Sequence, residues 1–143
     1  TENQAYNGAS QQGYFYLVVN DGTGSPPSTL LTTISNAVDA CRPVGTSFGV
    51  FAPVVVDVAI VMTVTVASGY SHATVAAAIQ AALQAYINAL PIGGTLPYTL
   101  VATTAYQTSP GVTNVTGVTV NGATADLIAT NQQVFQYTSA TIN

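Results

Sequence analysis

The stretch Val54-Val55-Val56-Asp57-Val58-Ala59-Ile60-Val61-Met62-Thr63-Val64-Thr65-Val66-Ala67 decides the fold. Its even positions, Val54, Val56, Val58, Ile60, Met62, Val64 and Val66, are all large and apolar. The odd ones, Val55, Asp57, Ala59, Val61, Thr63 and Thr65, are smaller or more polar. Period two over this length predicts a long β-strand with one face fully buried. A membrane span does not fit: Asp57 and the threonines interrupt the run, which is shorter than the ~20 residues a helix needs to cross hydrocarbon.

Outward from that strand the pattern changes period. Gly69 breaks it, and His72 to Leu90 is Ala-rich with Val75, Ile79, Leu83, Tyr86, Ile87 and Leu90 on one stripe, a helix that Pro91 terminates. On the other side, Ser47 to Phe51 makes a short strand before Pro53. Before it, Leu30, Leu31, Ile34, Val38 and Cys41 recur at helical spacing, with Ser28 as N-cap and Pro43 as the stop. Tyr14 to Val19 is aromatic and β-branched, a strand ended by Asn20-Asp21-Gly22-Thr23-Gly24-Ser25-Pro26-Pro27. Residues 1–13, rich in Asn, Gln, Gly and Ser, read as a loose leader. Their polar start without Met suggests a mature or excised piece of something longer.

Beyond the second helix, Pro91-Ile92-Gly93-Gly94 is a turn, and Leu96 to Ala105 fits a helix or a strand, with the helix favoured. Val112, Val115, Val118 and Val120 lie in a Thr-rich strand ended by the turn dipeptide Asn121-Gly122, and Gln133 to Thr138 would close a hairpin on it. The expected fold class is α+β, with residues 14–143 as a single domain. It would be a two-layer sandwich whose mainly antiparallel sheet joins the strands near 14–20, 54–67 and 112–120. Helices 28–41 and 72–90 would pack on one face. The element order is ferredoxin-like, with an added C-terminal hairpin.

Composition narrows function. Only 4% of the residues are charged, where about 25% is usual. Hydrophobic residues make up 48% and the net charge is −4. A single basic side chain, Arg42, cannot neutralise several phosphates, which excludes a dedicated nucleic-acid binder and a basic membrane-surface protein. One cysteine, Cys41, allows no internal disulfide, which is compatible with a reducing cytoplasm.

The reactive groups are few: Glu2, Asp21, Asp39, Asp57, Asp126, His72, Cys41 and Arg42. No set of three or four has metal-ligand spacing, so no metal, cofactor or catalytic residue is assigned. His72 beside Ser71 could serve a small hydrolase together with one Asp, but reads more simply as a surface residue in a helix's first turn. Cys41 falls on an apolar stripe, hence buried and structural. Asp57 is expected to be solvated or to pair with Arg42. Asp21-Gly22-Thr23-Gly24 joins a strand to a helix as a phosphate loop does, but lacks the lysine and the spacing. Asn114-Val115-Thr116 fits a glycosylation sequon, which would suit a secreted adhesin or pilin-like module. Alanines outside the core stripe of the second helix, and a surface of Thr, Ser, Asn and Gln, suit a part packed against copies of itself or against neighbours.

Five phrases go together in order. They are Val18-Val19-Asn20-Asp21-Gly22-Thr23-Gly24-Ser25-Pro26-Pro27, Cys41-Arg42-Pro43-Val44-Gly45 leading to Ala52-Pro53, Ala85-Tyr86-Ile87-Asn88-Ala89-Leu90-Pro91-Ile92-Gly93-Gly94, Pro110-Gly111-Val112-Thr113-Asn114-Val115, and Val120-Asn121-Gly122 with Ala125-Asp126-Leu127. The ordered set, over residues 15–137, resembles the C-terminal half of baseplate J-like proteins of contractile-tailed phages and related injection systems. The physical reading of the phrases is turns and stops: Gly22 and Gly24 for the tight turn, Pro43 and Pro91 ending helices, Gly111 at positive φ. The resemblance implies a structural part of the tail baseplate wedge, made in the bacterial host cytoplasm and placed in the virion tail. Its partners would be other wedge proteins, with no small-molecule substrate and no catalytic residues to carry over.

Overall fold

The computed structural model describes residues 2–143. In chain order these form β1 (Glu2–Gln4), β2 (Ser10–Val18), α1 (Ser28–Cys41), β3 (Ser47–Phe51), β4 (Val54–Val66), α2 (His72–Asn88), β5 (Thr95–Leu96), α3 (Tyr98–Thr108), β6 (Val112–Val120), β7 (Leu127–Ile128) and β8 (Gln133–Ile142). The class is α+β. Cα packing divides the chain into two units, the first ending at Val54 and the second running Val55–Asn143.

In the second unit the alternation of β4 is realised from Val58 onward. Val58, Ile60, Met62 and Val64 are at most 4% exposed, whereas Val61 is 41% exposed. Val54 and Val55 at the start of the strand are both exposed, so period two is not kept there. The inward face meets Val75, Ile79, Leu83 and Ile87 of α2, and Val101 and Ala105 of α3, in one core cluster. Phe135 of β8 and Val112, Val118 and Val120 of β6 complete it.

The valines of β6 are spaced three, three and two apart, which no straight strand keeps on one face. Register explains the spacing. Opposite β4 it slips once between Val61↔Thr119 and Thr63↔Thr116, and again between Thr65↔Asn114 and Val66↔Val112. Each slip inserts one extra residue into β6, and each bulge returns the next valine to the core side. Gly117, at φ 60, lies in the first slip.

Four expectations about pairing need correction. Strand β2 does not share a sheet with β4 and β6; the sheets are β1-β2-β3, β6-β4-β8 and the small β5-β7. The ferredoxin-like arrangement, which needs the first strand beside the long one, is therefore not formed. Nor does β8 close a hairpin on β6, since it lies on the opposite side of β4. Finally, β2 and β3 run parallel, with Tyr14 opposite Ser47 and Val18 opposite Phe51. Val64 N–H donates to Asn143 O and Asn143 N–H to Met62 O, the straddling pattern of a parallel pair for β4 and β8 as well. Periodicity reports which face of a strand is buried, not which neighbour it takes.

In the first unit, α1 is the crossover that the parallel pair β2–β3 requires. It buries no residue completely. Aromatic packing carries more of this unit: Tyr6 stacks on Phe51 with ring centroids 4.1 Å apart and meets Tyr16 edge-on at 5.4 Å. Such pairs contribute about 0.5–1.5 kcal/mol each beyond burial. Residues 2–13, expected as a loose leader, instead hold β1 and the start of β2, paired antiparallel. Their side chains are mostly exposed, so backbone pairing needs no apolar pattern to announce it. The favoured helix near 96–105 exists as α3, two residues after β5, and Ser28 is the first helical residue while Pro27 holds the N-cap position.

Candidate interaction surfaces

Helices α2 and α3 pack on one side of the β6-β4-β8 sheet, and on the other side the odd-numbered side chains of β4 are open, although Val134 of β8 is buried. Val55, Asp57, Ala59, Val61, Thr63 and Thr65 of β4 are all exposed. On β6, Thr116 stands opposite Thr63 and Asn114 opposite Thr65. From β8, Thr138 Oγ1 donates to Asp57 Oδ1 at 3.2 Å. This face therefore offers methyls, hydroxyls and one carboxylate.

The rims of the sheet are closed by side chains from the helices. Tyr106 of α3 accepts from Val115 N–H at 2.9 Å through its hydroxyl, which donates to Asn114 Oδ1 at 3.3 Å. On β8, Asn88 Oδ1 accepts from Tyr137 N–H at 2.9 Å, and Gln80 Nε2 donates to Ala140 O at 2.8 Å. Gln80 and Asn88 each follow directly after a stripe residue of α2, Ile79 and Ile87. At the far end of β6, Asn121 Oδ1 accepts from Ala59 N–H at 2.8 Å and Nδ2 donates to Asp57 O at 3.0 Å. A polar residue beside an apolar stripe is the signal that could have found Gln80 and Asn88; an inventory of charged groups passes over neutral amides.

The titratable residues singled out in the sequence are dispersed. Asp126 Oδ1 accepts from Tyr98 N–H at 2.9 Å, capping the first turn of α3 from a distant segment. Arg42 does not pair with Asp57: its Nε donates to Asp39 Oδ1 at 2.6 Å, and its guanidinium lies 5.8 Å from the Phe48 ring centroid. Cys41, expected to be buried, is exposed, because α1 covers its sheet only with half-buried side chains and ends there. Gly111 is not at positive φ; instead a Cβ there would fall 2.4 Å from the Tyr70 ring, so its lack of a side chain gives that ring its place.

Ser71 and His72 do not line the same depression. Ser71 lines an open depression of about 350 Å³ with Tyr70, Thr74, Thr108 and Ser109, and His72 is not in that lining. His72 is half-buried rather than a free surface residue, and its Nε2 is enclosed without a hydrogen-bond partner among the described residues. Among the described residues, no carboxylate lines the depression. The Asp21 loop spends its donors on itself. Asn20 Oδ1 accepts from Gly22 and Gly24 N–H, and Asp21 Oδ1 accepts from Thr23 N–H and Oγ1. Gly22 and Gly24 supply the positive φ this turn needs, 90° and 76°. These amides are not aimed outward at a phosphate.

The hydroxyl of Thr23, then its N–H, holds the Asp21 carboxyl below the usual aspartate range. A depressed folded-state value stabilises the fold above the unfolded value, and that contribution is lost as pH falls through the folded one. In an NMR titration Asp21 is expected to protonate at lower pH than a free aspartate, and Thr23→Val to move its midpoint back up. An unchanged midpoint in the variant would remove Thr23 as the cause.

The family model for the Baseplate J-like protein C-terminal domain matches residues 58–143, and the chain belongs to that family. The matched span nearly coincides with the second compact unit. It begins beyond the Asn20–Pro27 and Cys41–Pro53 phrases and contains the other three. A search of curated proteins finds no match. Membership supports a structural role in a phage tail baseplate. Among the described residues, no helix is long and apolar enough to cross a membrane.

Proposed function

We propose that the chain is a structural part of a baseplate wedge, docking to other wedge proteins and to copies of itself to build the ring, and that it carries out no catalysis. One observation supports this reading beyond family membership: the uncovered face of the β6-β4-β8 sheet, with Val55, Ala59, Val61, Thr63 and Thr65 exposed and Asp57 its single carboxylate on β4. A face with a single carboxylate loses little ion hydration when another protein covers it, so close packing rather than charge pairing makes the joint. In this reading the chain is the C-terminal part of a larger baseplate protein, made in the bacterial cytoplasm and placed in the virion tail, with no cofactor or small-molecule substrate.

The test is co-purification with the other baseplate proteins of the same phage, comparing the wild-type chain with Val61→Lys, while circular dichroism checks the fold. Wild type is expected to assemble, and the variant to lose about tenfold or more in affinity, equivalent to about 1.4 kcal/mol. Sedimentation of each chain alone reads the self-association. Wild-type assembly by Val61→Lys would take the open face out of the reading, and a chain that joins no baseplate protein overturns it.

A further inference from the structure

The dipeptide Asn-Gly occurs twice, at Asn7-Gly8 and Asn121-Gly122. It is chemically labile, because a glycine nitrogen flanked by no side chain can reach the preceding amide carbon. The nitrogen bonds to asparagine Cγ, the Cγ–Nδ2 bond breaks, and ammonia leaves with the glycine amide proton. Water then opens the cyclic imide at either carbonyl, giving aspartate or isoaspartate. The net change is one amide and one water to one carboxylate and one ammonium, with no oxidant or reductant.

The fold holds the two sites differently. Asn121, at φ 50, and Gly122, at φ 78, form a two-residue turn closed by Val120 N–H to Ala123 O and Ala123 N–H to Val120 O. The Asn121 amide bonds outside this turn, to Ala59 N–H and Asp57 O on β4, and its own N–H donates to Ala59 O at 2.8 Å. Cγ is thereby held on β4, and both side-chain bonds must break before it can meet Gly122 N. Asn7 lies between β1 and β2, and its Oδ1 accepts one bond from Ala9 N–H at 3.1 Å. Gly8 N–H donates to Ala5 O at 2.9 Å. Gly8 O also accepts from the Gln4 side chain at 3.1 Å, but none of these is a bond between paired strands, so the loop opens without parting any strands.

We propose that Asn121 is a latent modification site, shielded from deamidation while β4 and β6 are paired and released when they part, whereas Asn7 converts in the folded chain. Conversion at Asn121 is not silent. A carboxylate cannot donate to Asp57 O, and it adds negative charge beside a residue that already bears one. Isoaspartate further lengthens the backbone of the turn. Once made, the change keeps the clamp from re-forming.

The full chain is incubated at neutral pH in buffer and in urea, and peptide mapping by mass spectrometry reads conversion at each asparagine. In urea both sites are expected to convert at similar rates. In buffer Asn7 converts while Asn121 lags its urea rate by about tenfold or more, the mark of a reaction gated by local opening. Conversion of Asn121 in buffer at its urea rate, or equal protection of both sites, overturns the proposal. A second measurement compares thermal unfolding of Asn121→Asp and Asn7→Asp. The first is expected to lower the unfolding midpoint and the second to leave it in place. An Asn121→Asp chain that unfolds at the wild-type temperature would show that the amide clamps nothing, and would end the proposal.

Discussion

Met62→Asp is expected to unfold the 55–143 unit, while Val61→Asp, one residue away, leaves it folded. Met62 is fully buried in the core formed by α2, α3 and the sheet. A carboxylate there loses its hydration with no partner to replace it, at a cost of several kcal/mol. The lost apolar packing adds about 2–5 kcal/mol. Together these rival the ~5–15 kcal/mol net stability of a typical domain. Val61 points the other way and is 41% exposed, so its aspartate costs only strand propensity, about 1 kcal/mol. Far-UV circular dichroism and urea unfolding of both variants decide the matter. Equal tolerance would mean that the alternation along β4 does not set which face is buried.

The second large effect is at Phe135, which is 1% exposed and the largest of the fully buried side chains. Phe135→Ala leaves a cavity that β4 and the helices cannot close without shifting, for a loss of about 3–5 kcal/mol. At roughly 4–8 °C per kcal/mol for a unit of this size, the melting midpoint should fall by on the order of 15–30 °C. The urea midpoint should fall while the slope stays constant. A loss under about 1 kcal/mol would show that the core refills the space and that Phe135 is not central to it.

Much of this fold is legible in the residues. The stripe of Val75, Ile79, Leu83 and Ile87 is the face α2 buries, and the even positions of β4 from Val58 are the face it meets. Even the bulges of β6 are written in its valines, whose spacing of three at Val112, Val115 and Val118 makes sense only with an extra residue each time. Pairing was not legible, because a strand's alternation is the same whichever strand lies beside it. Thus β2 reads equally well as a neighbour of β4 or of β3. The strand at residues 2–4 was hidden for another reason: its bonds are main-chain bonds, which Asn and Gln side chains do not advertise. At the surfaces, charge and nucleophilicity single out His72, Cys41 and Arg42. Of the polar atoms that organise the second unit, only that of Asp126 belongs to a charged group; those of Asn88, Tyr106 and Asn121 are neutral, and each of the four is bonded to a main-chain group far along the chain or on another element.

The side chains on the sheet rims carry one more consequence. Exposed strand edges are commonly guarded by lysines, whose repulsion weakens as salt rises. Here the guard is occupancy. The N–H of Val115 and of Tyr137 and the carbonyl of Ala140 are already bonded to a phenol or an amide, so an arriving strand finds those places taken. Neutral groups of this kind keep their grip in concentrated salt and in acid alike. A chain with only 4% charged residues can in this way keep its sheet finite, leaving Asp57 as the one carboxylate of β4 on the broad face where a neighbour would settle.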